Sequence, residues 1–232
     1  MLSPEQLTGR DRTHVVRYQG DDWHCELHPQ ALDALLQMRG VALGDGLDII
    51  ATSSFRDFDR QAAIWNAKFR GERPLLNRAG APLDASTLED APRIQAILWW
   101  SALPGASRHH WGSDFDVIDR AALSGEWQNY RPQLLPQEFA PGAVFGRLSQ
   151  WLDEYAADFG FFRPYASDRE RGVRPEPWHL SFAPLATPAL AAFTPQMLAA
   201  ALRAADIAGI ETVLGQLPAI FSDYVQGIDS LT

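Results

Sequence analysis

The chain has 232 residues, 46% of them hydrophobic, with eight Trp, so it can bury the core of one domain with elaborations and is not a disordered polymer. Its net charge of -9 at pH 7, with no run of Lys or Arg, argues against nucleic acid or an anionic membrane as partner, since both need clustered cations. No apolar stretch approaches the roughly 20 residues that span a bilayer, and Cys25 is the only cysteine, which excludes an intrachain disulfide.

Residues 1–17 lack the basic and apolar regions of an export signal, which sets the expectation of a cytoplasmic protein, or a periplasmic one if a native leader was removed. Residues 29–43 carry apolar positions at helical spacing behind a proline that suits a first turn. A short strand over 47–52 (LDIIAT) follows a Gly-Asp-Gly turn and delivers Ser53 to Arg56 at its end. The pattern FDRQAAIWNAKF predicts a helix over 58–69, stopped by Gly71 and followed by a polar loop. Ser86-x-x-Glu89 has the form of a capping box ahead of a helix reaching about Leu103, and Pro104-Gly105 then breaks the chain.

Residues 114–119 (DFDVID) alternate polar and apolar, which predicts a strand with Asp114 and Asp116 on one face. A helical stripe from Val144 to Phe159 ends at Gly160, and 178–182 (WHLSF) is the last strand. Beyond Pro188, Ala and Leu dominate, and segments near 195–205 and 210–228 predict two amphipathic helices, an appended cap or an oligomer surface.

The chemistry lies in Ser107-x-His109-x-x-Gly112-x-x-x-Asp116, followed sixty residues later by Glu176-Pro-Trp178-His179. Two imidazoles, a carboxylate, and a second carboxylate beside the last imidazole are the parts of a catalytic zinc site, in which three protein groups hold the ion and a fourth position stays open. Pro175 and Pro177 exclude a helix there, so Glu176 enters from an extended loop while His179 points inward from the strand it begins. So placed, Glu176 can take a proton from water and later give it to a leaving amine. Arg56 is the candidate cation for a developing oxyanion.

Each residue alone has a plainer reading. Arg56 can pair with Asp57 or Asp59, Asp114 can be a solvated strand residue, and Trp99, Trp100 and Trp151 can be core. His14, His24 and His28 lack metal spacing and read as surface or capping groups, His110 as a packing or supporting neighbour of a ligand, and Cys25 as a buried or idle thiol.

Taken with Ser53-Ser-Phe-Arg56, Gln61, and the block from Trp151 to Tyr165 with its Trp-Leu, Gly-Phe and Arg-Pro-Tyr, these motifs resemble the VanY-like D-alanyl-D-alanine carboxypeptidases. That family shares a zinc fold with lysostaphin-type peptidases and hedgehog, and the resemblance runs from about Leu47 to Phe182. It implies His109, Asp116 and His179 as ligands of one Zn2+, Glu176 as base, Arg56 as stabiliser of oxyanion or substrate, and peptidoglycan stem peptides ending in D-alanine as substrates. Ser107, Gln61 and Tyr165 fall where the family places substrate contacts. The chain departs from the family pattern at Ser54, Phe55 and Asp114; the last, an extra acid facing the site, can bind a substrate ammonium group or orient His110.

The implied fold class is α+β, a small antiparallel sheet carrying the zinc site and flanked by helices. Residues 1–185 form the zinc peptidase domain and 186–232 a helical extension packed on it. An unexported location favours recycled tetrapeptides and hence L,D-carboxypeptidase activity, with D,D activity on pentapeptides as the alternative. A non-catalytic zinc module that binds cell wall or protein is a second class, opposed by Glu176, for which a structural site has no use. A cross-link endopeptidase is a third, expected to carry an export signal or a wall-binding repeat.

Overall fold

The computed structural model describes residues 1–20 and 23–229. Ser3 caps α1 (Pro4–Leu7) by accepting the Gln6 amide, and the chain then pairs β1 (Val16–Gln19) with β2 (His24–Leu27). Both strands alternate apolar and polar residues, VRYQ and HCEL, a period-two mark not singled out from the sequence; β1 buries none of its four fully, and β2 buries only Cys25 and Leu27. The His28 ring accepts the Gln30 amide and caps α2 (Pro29–Gly44), whose Leu32, Leu35, Met38 and Ala42 face the core. Strand β3 (Ile49–Ser53) and helix α3 (Phe58–Phe69) fall where their patterns place them.

The polar loop after α3 holds a short hairpin of β4 (Leu75–Leu76) and β5 (Pro82–Leu83). The expected capping box at Ser86 and Glu89 does not form. Asp84 accepts both the amide and the hydroxyl of Ser86, which uses up the capping hydroxyl in a 3-10 turn, and α4 (Asp90–Leu98) begins later and stops short of Leu103.

Strand β6 (Asp114–Asp119), helix α5 (Gly146–Tyr155), and strands β7 (Phe161–Phe162) and β8 (His179–Phe182) follow. The described chain closes on α6 (Ala183–Ala192), α7 (Pro195–Arg203), α8 (Ile210–Gly215), α9 (Leu217–Ile220) and a π-helical turn over Phe221–Gln226. Helix α6 was hidden by its prolines; Pro184 sits in the first turn where no amide is needed, and Pro188 removes only one bond. The expected 210–228 helix is three pieces rather than one.

One antiparallel sheet in the order β3-β6-β8-β7 frames the site. In β6, Phe115 and Val117 pack with α2 and α5 residues such as Leu35, Met38 and Leu148, and the period of two turns Asp114 and Asp116 to the other face. A second core joins Trp65, Ile94, Ile97 and Trp111 to Phe193, Leu198, Leu202 and Phe221, so the C-terminal helices share a core with α3 and α4. Among the described residues no single helix is long and apolar enough to cross a membrane.

Candidate metal centre and cavity

A 3-10 turn over Arg108–Trp111 ends at Gly112 in the left-handed region (φ 66°), just before β6. A Cβ at Gly112 would stand 2.6 Å from Val15 Cγ1 and 2.9 Å from the His28 amide nitrogen. Gly112→Ala is therefore expected to cost about 1–3 kcal/mol, read as a lower urea midpoint at unchanged slope. An unchanged midpoint would show that this junction yields freely.

The turn brings His109 over β6. Across the sheet, Asp116 is the register partner of His179 in β8 and of Ser53 in β3. One turn and two adjacent strands thereby converge: His109 Nε2 lies 3.7 Å and His179 Nδ1 3.3 Å from Asp116 Oδ1, and one donor atom from each residue lies within 4.8 Å of the others.

All three residues are buried, yet Asp116 Oδ1 and His179 Nδ1 have no hydrogen-bond partner. Each such orphan costs about 1–3 kcal/mol, which a cation between them would remove. The opposite ring nitrogens are engaged, His109 Nδ1 at 3.0 Å from the Ser54 carbonyl and His179 Nε2 at 3.2 Å from Asp114 Oδ1. Donation from those nitrogens leaves the lone pairs of His109 Nε2 and His179 Nδ1 aimed at the common point, as metal-binding imidazoles are held.

Burial pushes His109 down to about 3, keeping it neutral as a ligand must be. For His179 burial works in the same direction, but the carboxylates of Asp114, Asp116 and Glu176 outweigh it and hold the ring well above its ordinary value. A divalent cation would stand in place of that proton. Two imidazoles and one carboxylate fit zinc with an open fourth position.

Glu176 enters from an irregular segment, with its amide bonded to the Tyr165 carbonyl at 2.9 Å and its carbonyl accepting the His179 amide at 3.0 Å. Its Oε2 lies 3.3 Å from His179 Nδ1, beside the cluster. The Tyr165 ring meets His179 edge-on with centroids 5.1 Å apart, and burial pushes its phenol up to about 12.

Arg56 pairs with neither neighbouring acid. Asp57 caps α3 by accepting the Arg60 amide, and Asp59 pairs with Arg10. Arg56 instead donates from Nη1 to Gln61 Oε1 at 2.7 Å and from Nη2 to Ser53 Oγ at 3.2 Å, with no carboxylate in ion-pair reach among the described residues. Its carbonyl accepts from His110 Nδ1 at 2.5 Å, while His110 Nε2 accepts the Gly105 amide at 3.2 Å. Burial lowers His110 to about 4, so this fully buried ring is a neutral brace for the Arg56 backbone. If the cluster is a catalytic zinc site, Arg56→Lys is expected to lower kcat/KM about tenfold, since a point charge replaces a two-pronged donor, with zinc content unchanged. Parallel loss of zinc would make Arg56 a fold residue instead.

Two expected substrate contacts lie elsewhere. Gln61 is fully buried and donates to the Ala102 carbonyl at 2.7 Å, so it aims Arg56 and does not reach the cavity. Asp114 is also fully buried, accepting from Arg108 Nε at 2.7 Å, from the Ser113 hydroxyl and from His179; it steadies a candidate ligand and reaches neither the cavity nor His110. Ser107, Tyr165 and Arg56 do line a cavity of about 770 Å³ with His109, Asp116, Glu176 and His179. Arg78 and Arg174 line it too and were not singled out by sequence, although Arg174 stands only two residues before Glu176.

The family model described as VanY, D-alanyl-D-alanine carboxypeptidase, matches residues 24–185. The chain belongs to the VanY D-alanyl-D-alanine carboxypeptidase family. The match takes in all three candidate ligands, Glu176 and Arg56, and leaves the C-terminal helices α7 to α9 outside. An uncharacterised protein of Haemophilus influenzae is 44% identical to this VanY-family chain over 105 residues, 44% of this chain and 70% of that protein. VanYB in complex with D-alanine-D-alanine is similar in structure at TM-score 0.51 and 22% identity, covering 75% of this chain and 81% of that one. A vancomycin-resistance D,D-pentapeptidase VanY in complex with Zn(II) is similar at TM-score 0.50 and 21% identity, covering 77% and 85%. The α+β fold expected from the sequence is thus the VanY fold.

Proposed function

We propose that this chain is a zinc-dependent carboxypeptidase that removes the terminal D-alanine from peptidoglycan stem peptides. Its preferred substrate in this reading is the tetrapeptide with its L,D bond, and the pentapeptide with its D,D bond is the alternative. The observation that carries the proposal is the convergence of His109, Asp116 and His179, two of whose facing atoms are buried without partners, next to a carboxylate outside the set. Zinc bound there supplies a Lewis acid for the scissile carbonyl and an acidified water.

Glu176 takes the proton of the attacking water and passes it to the D-alanine nitrogen as the C–N bond breaks. Arg56, which has no carboxylate in ion-pair reach among the described residues, faces the charge that develops on the carbonyl oxygen or the terminal carboxylate of the substrate. Ser107 and Tyr165 offer hydroxyls along the wall. The tetrapeptide reading goes with a cytoplasmic enzyme acting on soluble muropeptides.

Muramyl tetrapeptide and pentapeptide, incubated with the protein with and without a chelator and followed by mass, test the reading. Alanine should leave the tetrapeptide, stop with chelator and resume with added Zn2+. Release from the pentapeptide alone would replace the L,D bond with the D,D bond. Inertness toward both in zinc-loaded protein would leave a binding module.

A further inference from the structure

The cavity holds a second positive centre besides Arg56. Arg78, in the β4–β5 turn, and Arg174 both line it, and they share a single carboxylate: Arg78 Nη2 lies 2.8 Å from Asp168 Oδ1, and Arg174 Nη2 lies 3.0 Å from Asp168 Oδ2. Arg78 also donates to the Arg169 carbonyl at 2.8 Å, and the Arg174 amide donates to the Trp99 carbonyl at 2.9 Å. Both Nε atoms are buried and have no partner. No second carboxylate among the described residues lies in ion-pair reach of either side chain, so two cations face one anion. Arg108, the remaining guanidinium on the wall, is neutralised by Asp114 at 2.7 Å. The wall also carries Asp116 and Glu176, but its guanidinium groups at Arg56 and at the Arg78–Arg174 pair have no carboxylate in ion-pair reach among the described residues other than the shared Asp168.

The leaving D-alanine has one carboxylate and a methyl side chain, so Arg56 answers all the charge it can carry. A second cationic centre calls for a second anion, and only the part of the substrate upstream of the cut can supply it. We propose that Arg78 and Arg174 bind a carboxylate on the acyl portion of the stem peptide, within about two residues of the bond that is cut; this rests on the carboxypeptidase reading.

The reach follows from the backbone. Arg174 and Glu176 each precede a proline, which biases both to extended conformations, so their Cα atoms stand about 7 Å apart at about 3.3 Å per residue. An extended substrate covers that length in about two residues. Guanidinium groups take carboxylates through paired, charge-assisted hydrogen bonds. When the third residue is diaminopimelate, the tetrapeptide carries a carboxylate on the residue whose carbonyl is cut and another on the D-glutamyl residue before it. In the pentapeptide the cut carbonyl belongs to D-alanine, and the diaminopimelate carboxylate then lies on the second residue upstream, so the pair can serve either bond.

Calorimetric binding of the tripeptide L-Ala-γ-D-Glu-diaminopimelate to zinc-loaded protein reads this subsite apart from turnover. It is compared with the same peptide amidated at the D-glutamyl carboxylate and with that amidated at the diaminopimelate side carboxylate. One of the two amides should bind about tenfold more weakly than the free acid, and that ratio should fall to near one in Arg78→Gln and Arg174→Gln. Equal binding of all three peptides, no binding of any, or a ratio that survives both substitutions would overturn the inference. Should a variant lose its cooperative melt, the wild-type ratio decides. Preference for the acid without cleavage of either the tetrapeptide or the pentapeptide would refute the carboxypeptidase reading and keep the subsite; cleavage with indifferent binding would do the reverse.

Discussion

On the proposed zinc carboxypeptidase reading, replacing Glu176 with alanine is expected to lower turnover of the tetrapeptide about 10²- to 10⁴-fold with bound zinc retained. Glu176 stands outside the set of three that converges on one point, although its Oε2 is 3.3 Å from His179 Nδ1. Its backbone is tied at both ends, to the Tyr165 carbonyl and the His179 amide, so the loop does not depend on the side chain. Glu176→Gln should lose as much as Glu176→Ala, because the role is to accept a proton and an amide of the same shape cannot. Zinc by elemental analysis and kcat on the tetrapeptide are the two readouts. Turnover that survives in both variants would strip Glu176 of its role; zinc lost with turnover would make it a fourth ligand and the site structural.

The candidate reacting groups were legible because their residue types are rare in such combinations and because local rules placed them. Gly112 closes the turn that carries His109, alternation put Asp116 on one face of β6, and two prolines kept Glu176 out of a helix. What supports them was not legible. Alternation put Asp114 on the correct face, but whether that face is open depends on Arg108 and Ser181 closing over it, with Arg108 Nη2 at 2.6 Å from Ser181 Oγ, 73 residues away. Gln61 points at Arg56 as its place on α3 allows, yet what seals it from the cavity is the Ala102 carbonyl, 41 residues on. The Arg78–Asp168 pair spans 90 residues and follows no local period. Contacts of that kind come from tertiary packing, which spacing along a chain does not encode.

Asp114 is where support and chemistry can be separated by experiment. Asp114→Ala should weaken zinc binding about 10- to 100-fold, since His179 Nε2 loses the acceptor that fixes its tautomer and orientation. It should also destabilise the fold by about 3–5 kcal/mol, because Arg108, 3% exposed, is left as a buried charge without its counterion. In the native protein burial opposes ionisation of Asp114, but Arg108, His179 and Ser113 outweigh it and hold the carboxyl well below its ordinary 3.8. A folded-state pKa lowered in this way contributes stability that is complete above the unfolded value and is lost only as pH falls below it, so measurements at pH 7 read the whole pair.

The double variant Arg108→Met/Asp114→Ala removes the stranded charge and should recover most of the stability, while zinc affinity stays low. Chelator competition and urea unfolding give the two numbers independently. If the double variant regained zinc affinity together with stability, Asp114 would act only by neutralising Arg108, and its bond to His179 would have no part in holding the metal.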